Sequence, residues 1–102
     1  MTDLQTISWI FLATALATNT KPTDISGISS VADGINHAVP TQKELQTSIS
    51  WLMTKGLIIK QGKNYELTYN GKLAYESASK NTQTVIKIWE NIELNFNSYD
   101  DN

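Results

Sequence analysis

The stretch from Pro40 to Thr68, PTQKELQTSISWLMTKGLIIKQGKNYELT, constrains the fold more than any other part of the chain. Proline lacks a backbone N–H and its ring clashes with a preceding helical turn, so Pro40 marks a break. Thr41 and Glu44 stand three residues apart. That is the spacing of a capping box, in which each side chain satisfies a backbone N–H at a helix start. Leu45, Ile49, Leu52 and Met53 then recur at helical spacing and make one apolar stripe. Lys55 falls in the last turn, where a cation suits the negative helix end, and Gly56 is free to take the left-handed conformation that ends a helix. The stretch therefore reads as a helix over 41–55, a stop, and strands from Leu57 to Gln61 and from Tyr65 to Thr68. Gln61-Gly62-Lys63-Asn64 between them is a short hairpin connection with a glycine available for positive φ.

On the N-terminal side, Thr2 and Gln5 form another capping box, ahead of a helix over 3–18. Ile7, Trp9, Ile10, Phe11, Leu12 and Leu16 cover most of its circumference. A helix apolar nearly all round is buried, so this one is expected to run through the middle of the domain or through a dimer. Asn19-Thr20-Lys21-Pro22 has turn chemistry. A short third strand is expected near residues 20–23. Thr23 is placed to cap a second helix over 24–38, with Asp24 in its first turn and Ile25, Ile28, Ala32 and Ile35 as a narrow stripe. Gly27 and Gly34 each weaken that helix by about 1 kcal/mol relative to alanine, and close packing against another helix would account for them. Val39-Pro40 turns into the third helix, so the second and third make a helix-turn-helix with a short connection.

Beyond the hairpin, Thr68 is expected to cap a helix over 69–80, and Thr82, after the Asn81 interruption, a last helix over 83–96. In that last helix Val85, Trp89, Ile92 and Phe96 recur in a heptad-like pattern with Ile86 and Ile88 alongside. Residues 97–102 carry turn formers and two aspartates and are expected to be a frayed tail. The expectation is a single domain over 1–96 with the order α-α-α-β-β-α-α.

Helix, glycine stop, Gly56-Leu57-Ile58, hairpin, then Tyr65-x-Leu67-Thr68-x-x-Gly71 opening a new helix resembles the bacterial winged-helix regulators. More narrowly, Ala32-Asp33-Gly34-Ile35-Asn36-His37-Ala38-Val39-Pro40-Thr41 resembles a group of small bacterial winged-helix proteins. The resemblance covers roughly residues 4 to 80. It implies a mainly α winged helix-turn-helix with a small β-hairpin wing over 57–68, a recognition helix over 41–55 and, beyond the resemblance, an extra C-terminal helix. It implies a DNA-binding transcriptional regulator acting on double-stranded DNA as a homodimer. The same scaffold also serves as a protein–protein interaction module, which is the rival expectation.

Charge bears on that choice. The net charge is −2, and none of the eight basic residues is arginine. A strong nucleic-acid binder carries a basic excess, so the overall balance favours the interaction module. Residues 38–80 are nevertheless net +3, against −2 before them and −3 after them. The basic part thus coincides with the third helix and the hairpin, where DNA binding needs it. Cysteine is absent, which excludes disulfides and thiolate metal sites. The run Trp9 to Ala17 is too short to span a bilayer and follows no basic residue, so no membrane segment or secretory signal is expected and the chain reads as cytoplasmic.

With Leu45, Ile49 and Leu52 inward, the outer face of the third helix carries Lys43, Gln46, Thr47, Ser50 and Thr54. Gln pairs bidentately with adenine, and Ser or Thr meets phosphates or a thymine methyl. The alternative is an ordinary solvated face. The missing arginine removes the commonest guanine reader, so a preference for A·T-rich DNA follows if DNA is bound. Lys60 and Lys63 on the wing, flanked by Lys55 and Lys72, either touch phosphates or discourage edge-to-edge pairing of a small hairpin. Asp33 and His37 stand at i, i+4, but with one histidine in the chain a structural role is expected rather than a metal site. Trp51 lies off the main stripe and either packs under the wing or against the last helix, or contacts a partner. Tyr65, Tyr69 and Tyr75 read as packing residues, with a stacking platform as the alternative. Neither a nucleophile–base pair nor a phosphate loop is present, so neither enzymatic activity nor a cofactor is expected. Val85, Ile86, Trp89, Ile92 and Phe96 offer a dimer interface facing the partner's first helix; the alternative is that the last helix folds back over its own first helix.

Overall fold

Helix α1 (Asp3–Ala17) opens with the expected capping box, in which Thr2 Oγ1 accepts from Gln5 N–H and Gln5 Oε1 accepts from Thr2 N–H. From Ile7 to Ala15 every residue is buried, hydroxyls included. Ser8 and Thr14 make this possible by donating to the carbonyls of Leu4 and Ile10 one turn back, so neither brings an unpaired polar atom into the core. The structure, a computed structural model, describes residues 1–100. In it α1 is packed by α2 (Ile25–Asn36), α3 (Gln42–Thr54), α4 (Tyr69–Ser79), α5 (Val85–Asp100) and the second strand of the hairpin. The fold is mainly helical, with one antiparallel hairpin of β1 (Ile58–Gln61) and β2 (Asn64–Leu67).

The cap of α2 is Asp24, not Thr23: the Asp24 carboxylate accepts from Gly27 N–H. Thr23 instead exchanges two backbone hydrogen bonds with Tyr65, so the expected third strand is a single bridge beside β2. A Cβ at Gly27 would meet the Thr23 hydroxyl and force that side chain to move, a contact just ahead of its own helix rather than with another helix. Gly34 meets nothing, so packing does not account for it. Ile28 and Ala32 are buried, but Ile25 at the head of the stripe stays 40% exposed. His37 ends α2 in the left-handed conformation at φ 56° and is exposed.

Helix α3 starts with the Thr41–Glu44 capping box and ends as its glycine demands. Gly56 sits at φ 73°, its N–H donates to Met53 O, and Leu57 N–H reaches back to Leu52 O. This pair of bonds is the Schellman motif, and its usual apolar partners, Leu52 and Leu57, are both fully buried. The next residues weld the end of α3 to the start of α4. Thr68 N–H donates to Leu57 O and Thr68 Oγ1 donates to Gly56 O, while the same hydroxyl accepts from Gly71 N–H to cap α4. Gly71 passes so close to the Leu57 carbonyl that any Cβ would overlap it. Gly56, Leu57, Thr68 and Gly71 are therefore one junction. Between its two ends the hairpin pairs Ile58 with Leu67 and Gln61 with Asn64, leaving a two-residue turn, Gly62-Lys63, with Gly62 at φ 63°.

Helix α5 begins later and runs further than its sequence pattern implies. Thr82 Oγ1 accepts from Thr84 N–H in a local turn, and Thr84 O accepts the first helical bond from Ile88. Residues 97–100, expected to fray, continue the helix; residues 101–102 lie outside the described residues. The helix folds over its own α1. Ile92 and Phe96 are fully buried, Phe96 meets Phe11 edge-on at 5.2 Å, and Trp89 stacks on Trp9 at 6.2 Å. The Trp89 indole donates to Gln5 O, and Asn91 Nδ2 to Ala78 O. Of the five expected dimer residues, Ile92 and Phe96 are thus intramolecular core, and Trp89, half-buried, packs against that core. An apolar helix beside an uncovered face of α1 buries more cheaply there than on a second chain, because the association entropy is avoided. Val85 and Ile86 remain exposed.

Candidate nucleic-acid interface

The face of α3 turned from the core carries Lys43, Gln46, Thr47, Ser50 and Thr54, and all five are exposed. The inward stripe is Leu45, Ser48, Ile49 and Leu52. Met53, read from the spacing as part of that stripe, is 42% exposed and belongs to the outer face. Ser48, on the opposite edge of the stripe, is fully buried with its hydroxyl unpartnered.

The hairpin stands beside this face. Together they wall a groove of about 600 Å³, with Leu45, Ile49 and Met53 of α3 as apolar lining, Gln42, Gln46, Ser50 and Thr54 as polar lining, and Ile25, Lys60 and Tyr65 beyond the helix. Lys60 and Tyr65 are directly paired across the hairpin, and the ammonium lies 5.6 Å from the ring centroid, so the cation is held against the groove wall. Lys63 is exposed in the turn at the hairpin tip. The groove thus gathers Gln46, Ser50, Thr54 and Lys60 of the expected DNA-binding set, while Lys43, Thr47 and Lys63 lie on exposed surface outside it.

Of the two lysines expected to flank the hairpin, neither lines the groove, and Lys72 lies against the other side of β2. Lys55 donates to Tyr99 O at 3.3 Å and lies over the Trp51 ring at 5.6 Å. Lys72 lines a separate cavity of about 450 Å³ with Lys21, Glu66 and Glu76. Trp51 packs against the last helix, with Phe96 at 5.3 Å and Tyr99 at 6.1 Å. Tyr65 is buried and Tyr75 half-buried, as packing residues, but Tyr69 is 76% exposed and does not pack. Asp33 and His37 are joined only through the backbone, His37 N–H donating to Asp33 O. Among the described residues no group of three or more His, Asp or Glu is placed to hold a metal ion, and no helix is long and apolar enough to cross a membrane.

Sequence reasoning missed Gln42, Ile25 and Met53 as groove residues. For Ile25 and Met53 the helical spacing satisfied the inward stripe equally well. Only the cover supplied by neighbouring elements separates the two positions. Comparison of the chain with protein-family models, with curated proteins and with solved structures returns no match.

Proposed function

We propose that the chain is a winged-helix DNA-binding transcriptional regulator, with α3 as recognition helix in the major groove and the β1–β2 hairpin as the wing on the backbone. The observation that supports this reading best is the groove between α3 and the hairpin. Its α3 wall presents Gln46, Ser50 and Thr54, and its hairpin wall presents Lys60, with Lys63 exposed at the tip. Hydrogen-bonding side chains on an exposed helix, beside lysines on a projecting hairpin, divide base reading from phosphate contact as a duplex requires. Two copies would set two α3 helices about one DNA turn apart. Such a homodimer has available the apolar side chains of α5 that stay outside the core, Val85, Ile86 and Leu94, with Ile86 in a shallow groove with Met1.

Fluorescence anisotropy of random genomic fragments through a salt series tests the proposal. Lys60→Ala and Lys63→Ala are each expected to lower the salt slope by about one while weakening all sequences alike. The second reading is a protein-interaction module on the same scaffold. It is favoured by the exposed apolar residues Ile25 and Met53 in this groove and by the commitment of Lys55 to Tyr99. Absence of binding at low salt would overturn the DNA reading and leave the interaction module.

A further inference from the structure

If the groove takes DNA, its chemistry also defines which base pairs it can read. A G·C pair presents, in the major groove, two acceptors on guanine and an amino donor on cytosine. The first is read by an arginine or a lysine, and the second by a free carboxylate. The α3 face has neither over its central turns. The chain has no arginine. Lys55 is turned to Tyr99 O and the Trp51 ring. Lys43 stands in the first turn, away from the groove, Lys60 lies across the groove on the hairpin against the Tyr65 ring, and Glu44 is occupied, accepting from Thr41 N–H.

An A·T pair presents an acceptor and a donor on adenine, and on thymine a carbonyl and the C5 methyl group. Both partners for it are on the face. Gln46 is an exposed amide with an acceptor and two donors, the bidentate partner of adenine. Met53 and Ile25, 42% and 40% exposed, line the same groove and offer apolar contact for the thymine methyl.

We infer that α3 selects A·T-rich duplex DNA through the major groove, Gln46 reading adenine and Met53 the thymine methyl. This rests on the DNA-binding reading, and the following experiment separates the two. Three duplexes are titrated by anisotropy at one salt concentration: alternating dA·dT, the same polymer with deoxyuridine replacing thymidine, and alternating dI·dC. Inosine·cytosine matches A·T in the minor groove, lacking the guanine amino group, but matches G·C in the major groove.

The dA·dT duplex is expected to bind about tenfold tighter than dI·dC. Loss of the methyl group in the uracil duplex is expected to cost about fourfold, the worth of one buried methyl. Met53→Ala should erase the thymine–uracil difference, and Gln46→Ala the difference between dA·dT and dI·dC. Both side chains are exposed, so both variants are expected to keep the wild-type melting curve. Equal binding of dA·dT and dI·dC overturns the major-groove inference while leaving DNA binding in place. Failure of all three duplexes to bind at low salt overturns the underlying reading instead.

Discussion

Helices α1 and α5 are both rich in large apolar residues, yet α1 is buried on every side from Ile7 to Ala15, whereas α5 buries Ile88, Ile92 and Phe96 and leaves Ile86 and Leu94 to solvent. The difference lies in their neighbours. Helix α1 is packed by four helices and a strand; α5 packs chiefly on α1 and α4. A central helix has no solvated face, so its buried polar atoms need protein partners: Ser8 and Thr14 bond along the helix and the Trp9 indole donates to Ala32 O of α2. A peripheral helix needs only one apolar stripe, and Trp89 and Asn91 tie it to the Gln5 and Ala78 carbonyls while its other face stays solvated. Apolar content alone does not tell a central helix from a peripheral one with apolar residues to spare.

Substitutions at matched depths sharpen this contrast. The largest effect is expected from α1: Phe11→Ala removes a fully buried ring that meets Phe96, at a cost of about 3–5 kcal/mol. Measured by urea unfolding, that is a large part of the roughly 5–15 kcal/mol a domain has. Trp89→Glu on α5 is expected to cost about 3 kcal/mol, since it loses the stack on Trp9 and the bond to Gln5 O. A Trp89→Glu chain that melts like wild type would show that α5 does not lean on α1 and would restore Trp89 as an interface residue.

At the far end of α5, Tyr99→Ala is expected to cost about 1 kcal/mol, because Trp51 and Phe96 each lose an aromatic partner. An unchanged midpoint would return residues 97–100 to the status of a tail. Ser48→Ala on α3 removes a buried, unpartnered hydroxyl and is expected to be neutral or to stabilise by up to about 1 kcal/mol. The smallest change in stability is expected at Ile86, 56% exposed: Ile86→Asp should stay within about 0.5 kcal/mol of wild type. It should also weaken self-association in sedimentation equilibrium. A wild-type chain that is monomeric at micromolar concentration would end the homodimer proposal.

Local chemistry was legible wherever the causes lay within a few residues. Both Thr capping boxes, the glycine stop at Gly56 and the hairpin turn at Gly62 are decided by backbone groups that must find partners three to five residues away. The burial of α1 was legible too, because a helix apolar on all sides has no other stable place. The outer face of α3 likewise follows from the helical period, and Lys43, Gln46, Thr47, Ser50 and Thr54 all fall on it.

What only the tertiary structure decided involves partners distant in sequence. Whether Ile25 and Met53 face core or groove depends on where α1 and the hairpin stand. Thr23 gives up its cap because Tyr65, from the hairpin, claims its backbone. Gly71 is required by the Leu57 carbonyl, fourteen residues earlier, and no period or propensity records that approach. Lys55 is withdrawn from the candidate interface by a carbonyl of the last helix. Helix α5 carries an apolar surface that a second copy and its own α1 could cover equally well by pattern. The choice fell to α1 because covering it within one chain costs only the closure of a loop, whereas pairing two chains costs their translational and rotational freedom.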